Sequence, residues 1–172
     1  MTEVAEFGPY SQPMQTRYHV EITSQALEEL FNQQALQVII RANLAQDNLS
    51  GQIGHPEYHF DDNCFLEGNA YLREQRQHIL ESLHEQAAIP AWQAFGRLIH
   101  AAQDFYAHST YVRLWFDLHP RNDSAPRPEE IQPLEPGLIH HPALISGRIY
   151  LPWEILSFIP GLEKLMCILL PQ

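Results

Sequence analysis

From Ala91 to about Phe116 the chain runs without proline, and no other feature constrains the fold as tightly. Pro90 suits the first turn of a helix, where its missing N–H is no loss, so the stretch predicts one long helix over 91–116. Wound at helical period, it places Phe95, Leu98, Ile99, Ala102, Phe105 and Tyr106 on one broad apolar side. The opposite stripe carries Gln93, Arg97, His100, Asp104, His108, Tyr111 and Trp115. Side chains four apart meet on successive turns, so His100, Asp104 and His108 project imidazole, carboxylate and imidazole side by side. Asp104, in the middle, has two oxygens and can bridge two ions. A lone His and Asp four apart is more often a solvated face. Tyr111 and Trp115 on the same stripe argue against that, because large aromatics seldom face water alone. The expectation is a metal cluster on a helix covered on both sides.

Around this helix the sequence reads as an all-α, single-domain chain over residues 1–172, a length that buries a core without cross-links. Residues 1–15, with Pro9 and Pro13, read as an extended arm. Ile22, Ala26, Leu27, Leu30 and Phe31 recur at helical spacing, and Leu36, Ile39, Ile40 and Leu44 continue the pattern to Asp47. Residues 48–56 hold two glycines and a proline and read as a loop, and HPEYHFDDNCF after it is too irregular for a helix. Glu67 to Ala88 is rich in good helix formers. From His119 to Pro142, six prolines predict a long loop suited to act as a lid. The apolar tail, broken by Pro152, Pro160 and Pro171, reads first as core packing and second as a membrane or partner contact.

A net charge of -11 argues against nucleic acid as a partner, since phosphates are neutralised by Lys and Arg. Bound divalent ions would offset part of that charge. Cys64 and Cys167 form no paired-thiolate motif, so a metal must rely on nitrogen and oxygen. No stretch is apolar enough to span a bilayer, and the N-terminus lacks the basic and apolar regions of a secretory signal. The protein is expected to be soluble and cytoplasmic; the oligomeric state is left open.

The ligand pattern resembles the zinc-dependent phospholipase C family, which shares its fold with single-strand nucleases. The local wording is most similar to heterokaryon-incompatibility C (Het-C)-type proteins. The resemblance rests on Phe95, Leu98, His100 and Asp104 in FGRLIHAAQD, then His108 in FYAHSTYV. Upstream it extends to His19, Ile22, Ala26 and Leu27 in HVEITSQAL, to Asp47, and to His59 in HFDD. It covers residues 17–113, with the ligands in the family's order. In that family the free amino terminus is also a ligand, whereas here 18 residues precede His19. Related chains run on by at least one helix past LLP, so this one reads as C-terminally truncated.

The resemblance implies a phospholipase C-like helical bundle with one zinc on Asp47, His59, His100 and Asp104. A second zinc would take His19 and the shared Asp104, and His108 would join a third. It further implies phosphodiester hydrolysis of a phospholipid head group or small phosphoester, by zinc-activated water. Asp47 would serve as general base, Asp104 as bridging carboxylate and Arg97 as phosphate ligand, with Asp61 and Asp62 orienting His59. The alternative is a non-hydrolytic or structural metalloprotein with the same ligands.

Overall fold

A computed structural model describes residues 16–119 and 133–147; the extended arm, most of the proline-rich loop and the apolar tail lie outside the described residues. Among those described the fold is all-α, as expected, with one isolated bridge between Ser109 and Ser146 and no strand. No described helix is long and apolar enough to cross a membrane.

Two helices precede the site. Helix α1 (Thr16–Leu27) buries His19, Thr23 and Leu27, and α2 (Gln33–Leu44) buries Ala35, Ile39 and Asn43. Each trio is one stripe at i, i+4, i+8. Asn32 caps α2 by accepting the Ala35 N–H at 2.9 Å, satisfying one donor that a helix start leaves free. Hydrophobic spacing alone points to the wrong face of α1, because Ile22 and Leu30 are exposed and the buried face is mostly polar. After a 3-10 turn (Ala45–Asp47), the expected loop over 48–56 holds one short helical turn, α3 (Leu49–Gln52), and the segment read as too irregular for a helix holds another, α4 (Pro56–His59). A second 3-10 turn, Asp61–Asn63, leads into α5 (Phe65–His84).

The predicted long helix is two. Helix α6 spans Ala88–His108 and α7 spans Tyr111–Leu118, parted by Ser109 in an extended conformation. Ser109 Oγ donates to the Phe105 carbonyl, and the Thr110 N–H leaves the helix for the Ile145 carbonyl at 2.9 Å. Hydroxyl side chains compete in this way with helical backbone bonds. A last turn, α8 (Pro136–Ile139), carries Leu138 into the core.

Helix α6 is the axis of the fold. Helices α2 and α6 run side by side in one direction, with Ile39 beside Gly96 and Asn43 beside His100 and Gln103. On the other flank, Phe60, Tyr71, Ala101, Phe105, Tyr111, Leu114, Trp115 and Leu138 form one buried cluster. The contact of α2 with α6 is close enough that a Cβ on Gly96 would strike the Ile39 carbonyl oxygen and approach Ala42 Cβ to 2.8 Å. In an exposed helix, Gly to Ala stabilises by about 1 kcal/mol. Here the sign reverses: Gly96→Ala is expected to destabilise the chain by about 1–3 kcal/mol in urea unfolding, the usual cost of overpacking. An unchanged or raised midpoint would contradict this packing.

Candidate metal centre

The stripe predicted to carry ligands faces the interior. His100 and Asp104 are buried on α6 with His108, while Phe95, Leu98, Ile99, Ala102 and Tyr106 on the other side are half-buried. Helix α1 adds His19, the 3-10 turn after α2 adds Asp47, and α4 adds His59. His19, His59, His100 and Asp104 are each no more than 1% exposed.

Asp104 is the hub. Its Oδ2 lies 2.8 Å from His59 Nδ1 and 3.0 Å from His100 Nε2. Its Oδ1 lies 3.4 Å from His19 Nε2 and 3.8 Å from His108 Nε2, contacts without hydrogen-bond geometry. Asp47 stands at the open edge, with its side chain 24% exposed; its Oδ2 is 3.7 Å from His19 Nε2 and its Oδ1 3.7 Å from His100 Nε2. Gln52 Nε2 donates to Asp47 Oδ1 at 3.1 Å.

A shell of amides and one carboxylate sets the tautomers. Asn43 Nδ2 donates to Gln103 Oε1 at 3.0 Å, so Asn43 Oδ1 is the acceptor for His100 Nδ1 at 3.3 Å. Gln103 Nε2 donates to Thr23 Oγ1 at 3.0 Å, so Gln103 Oε1 accepts from His19 Nδ1 at 2.6 Å. Asp61, as a carboxylate, can only accept from His108 Nδ1, at 3.0 Å. Each of these three rings therefore keeps its Nε2 lone pair for the centre, the role outer partners play around metal-binding histidines.

His59 Nδ1, His100 Nε2 and Asp104 Oδ2 partner one another, but five other atoms of the cluster have no protein partner. His19 Nε2, Asp47 Oδ2, His59 Nε2, Asp104 Oδ1 and His108 Nε2 are all buried without a hydrogen bond. Such orphans are costly and rare. One ligand atom each from His19, Asp47, His100 and Asp104 lies within 4.8 Å of the others. In a tetrahedral zinc site with bonds of about 2.0–2.1 Å, neighbouring ligands sit about 3.3 Å apart. The measured separations bracket that value, and two imidazoles with two carboxylates are a donor set zinc accepts. The residues fit a zinc ion.

All six predicted metal residues, His19, Asp47, His59, His100, Asp104 and His108, thus converge. The structure gathers His19 with Asp47, His100 and Asp104; His59 meets the Asp104 oxygen that His100 meets, 3.1 Å from His100 Nε2, and His108 approaches the oxygen that His19 approaches. Asp61 orients His108, not His59, and Asp62 is exposed. Arg97 turns away: its Nε donates to Gln75 Oε1 at 2.7 Å, in a groove lined by Glu57, Tyr58, Tyr71 and Glu74. His119 caps α7 through the Trp115 carbonyl, and His140 and His141 are exposed. Gln103, Asn43 and Thr23 were not singled out by ligand type. Their one signal in sequence is polar side chains on faces that helical packing buries.

Comparison with known proteins replaces the earlier resemblance. Residues 14–121 match the family model of the VWA7 N-terminal domain. Over 80 residues, 46% of the chain, it is 36% identical to von Willebrand factor A domain-containing protein 7 of Rattus norvegicus. The proteins of that name from Mus musculus and Homo sapiens match to the same extent. The chain spans only 9% of the length of each of these relatives. No solved structure matches. The kinship to zinc-dependent phospholipase C and Het-C-type proteins is therefore corrected. The phosphodiester hydrolase reading, with Asp47 as base and Arg97 as phosphate ligand, falls with it. The physical reason is that a short F-x-x-L-x-H-x-x-x-D pattern encodes a buried His/Asp helix face, which is a packing arrangement and not a reaction.

Electrostatics sets the pH behaviour of the metal-free protein. Burial opposes charge on His19 and His59, yet Asp104 outweighs it and holds both imidazoles above their ordinary pKa. Burial opposes His108 too, but Asp61 and Asp104 push it up to about 9. Burial would raise Asp104, but His100, His19 and His59 hold it well below the usual carboxylate range. Raised imidazoles stabilise the fold fully below their unfolded pKa of about 6.5, and that contribution disappears as pH climbs through the folded value. Asp104 acts at the other end, its contribution lost only in strong acid. Chelator-treated protein is expected to lose up to about 3 kcal/mol in urea unfolding between pH 6 and pH 9.5, with the loss reduced in Asp61→Asn. Equal stability at both pH values would refute this ordering of charges.

Proposed function

The chain belongs to the VWA7 N-terminal domain family, and from that premise we propose that it is a zinc-binding helical domain whose centre is architectural, not hydrolytic. One zinc is held by His19, Asp47, His100 and Asp104. A second shares Asp104 and takes the unpartnered Nε2 atoms of His59 and His108. The observation that carries this reading is the set of buried ligand atoms without a partner on the residues gathered around Asp104.

The architectural role follows from ligand count and burial. A catalytic zinc keeps a coordination position open for water or substrate, whereas a structural zinc is closed by four protein groups. The first set offers four groups, three of them no more than 1% exposed. Imidazole selects zinc over magnesium and calcium, and Cys64 is not in the group, so no thiolate is needed. Bound zinc supplies positive charge that compensates the carboxylates. The chain's own residues then do the fixing: α1, the turn at Asp47, the His59 segment and α6 are tied together at one point.

Elemental analysis of protein purified without added chelator is expected to find about two zinc ions per chain. His100→Gln should hold about one, and Arg97→Ala should match the wild type. Because Asp104→Asn could fail to fold, His19→Gln provides an independent loss of the first ion. Folded wild-type protein that binds no zinc in equilibrium dialysis would overturn the proposal.

A further inference from the structure

We infer that the segment Leu144–Gly147 is a latch that positions His59 and His108 at the centre, with Asn63 and Ser146 as its positioning residues. The inference rests on the zinc reading and concerns residues beyond the 14–121 family match.

The segment after His59 is held in an unfavourable backbone conformation. Phe60, Asp62 and Asn63 have φ of 55°, 52° and 61°. Side-chain-bearing residues seldom adopt this left-handed region, and a run of them persists only where surroundings impose it. Those surroundings are the latch. The Asp62 N–H donates to the Gly147 carbonyl at 2.6 Å. The Asn63 N–H donates to Ser146 Oγ at 2.8 Å, and the Ser146 N–H donates back to Asn63 Oδ1 at 2.8 Å. Ser146 is buried and Asn63 exposed, so the reciprocal pair ties a surface turn to a buried anchor.

The same segment grips the end of α6. The Gly147 N–H donates to the His108 carbonyl at 3.0 Å, and Ile145 exchanges bonds with Thr110, giving through its carbonyl an acceptor at 2.9 Å and through its N–H a donor to Thr110 Oγ1 at 3.0 Å. The Gly147 peptide thus bridges the residue that carries one ligand, His108, and the residue next to Asp61. Asp61 in turn binds His108 Nδ1 through its side chain. A ring closes: Asp61 to His108 by side chains, and His108 to Asp62 through Gly147. Opening the latch frees the 60–63 turn to relax, which withdraws His59 from Asp104 and Asp61 from His108. His19, Asp47 and His100 receive none of these bonds, so the latch acts on the centre through the backbone that carries His59 and His108.

The test uses the whole chain loaded with zinc and a chromophoric zinc chelator. Asn63→Gly is the sharpest probe, because glycine accepts φ near 61° without strain and only the side-chain clasp is lost. Ser146→Ala removes the other half, and Asn63→Asp restores the acceptor. Asn63→Gly and Ser146→Ala are expected to yield one zinc per chain about 10–100-fold faster than wild type, the usual size of an outer-partner effect. The second zinc should leave at the wild-type rate, and Asn63→Asp should behave as wild type. Wild-type rates in both loosened variants would overturn the latch and leave the zinc reading intact. Equal acceleration of both ions would also overturn it, marking a general loss of stability. Wild-type protein that takes up no zinc would overturn the zinc reading first and the latch with it.

Discussion

The Asp104 carboxylate, 1% exposed in the middle of the fold, is the constraint to which the rest of the structure answers. A buried, uncompensated charge costs several kcal/mol even after relaxation, more than a small fraction of the stability a domain of this size possesses. Four imidazoles surround it, from α1, α4 and both ends of the ligand stripe on α6. Their attraction holds Asp104 ionised against its burial. Imidazoles from three helices cannot meet one carboxylate unless those helices pack at a fixed register. The glycine contact between α2 and α6 fixes α6 against the helix that carries Asn43, and Gly68 lets α5 close on the Phe60 ring next to His59, where a Cβ would lie 2.7 Å from that ring.

The second layer around Asp104 is as specific as the first. Gln103 sits one residue before it and binds His19, Asn43 and Thr23 at once, so a single amide couples α1, α2 and α6. The direction of each amide leaves no choice of tautomer at His19 or His100. Asp61 removes the choice at His108. Polar burial on this scale is stable only when each member is satisfied, and the outer atoms are. The unsatisfied atoms are confined to the inward side, where a cation would complete them.

Much of this was legible in the sequence, and the failures have physical causes. The four longest helices follow from apolar spacing and helix propensity along the chain, and the stripe of His100, Asp104 and His108 follows from spacing on α6. His19, Asp47 and His59 came only from a resemblance whose family assignment the comparisons overturned, yet these residues do lie around Asp104. Hydrophobic period misplaced the buried face of α1, because His19 and Thr23 are buried as part of a polar network and Ile22 is left outside. The end of α6 was read several residues too late. Ser109 and Thr110 divert backbone donors and acceptors to residues near 146, and pairing across more than 30 positions leaves no local signal. Arg97 was assigned to the site from its place on the helix wheel, but its long side chain bends to Gln75. Wheel position fixes where a side chain starts and not where its head group ends.

The polar groups gathered around Asp104 join α1, the turn at Asp47, the His59 segment and α6 at one point, beside the apolar cluster that packs Phe60 against Phe105. X-ray absorption at the zinc edge tests that claim most directly. The account predicts a first shell of nitrogen and oxygen alone at about 2.0–2.1 Å, with the outer-shell scattering of imidazole rings. A sulfur shell near about 2.3 Å, or protein that carries no zinc edge, would contradict it.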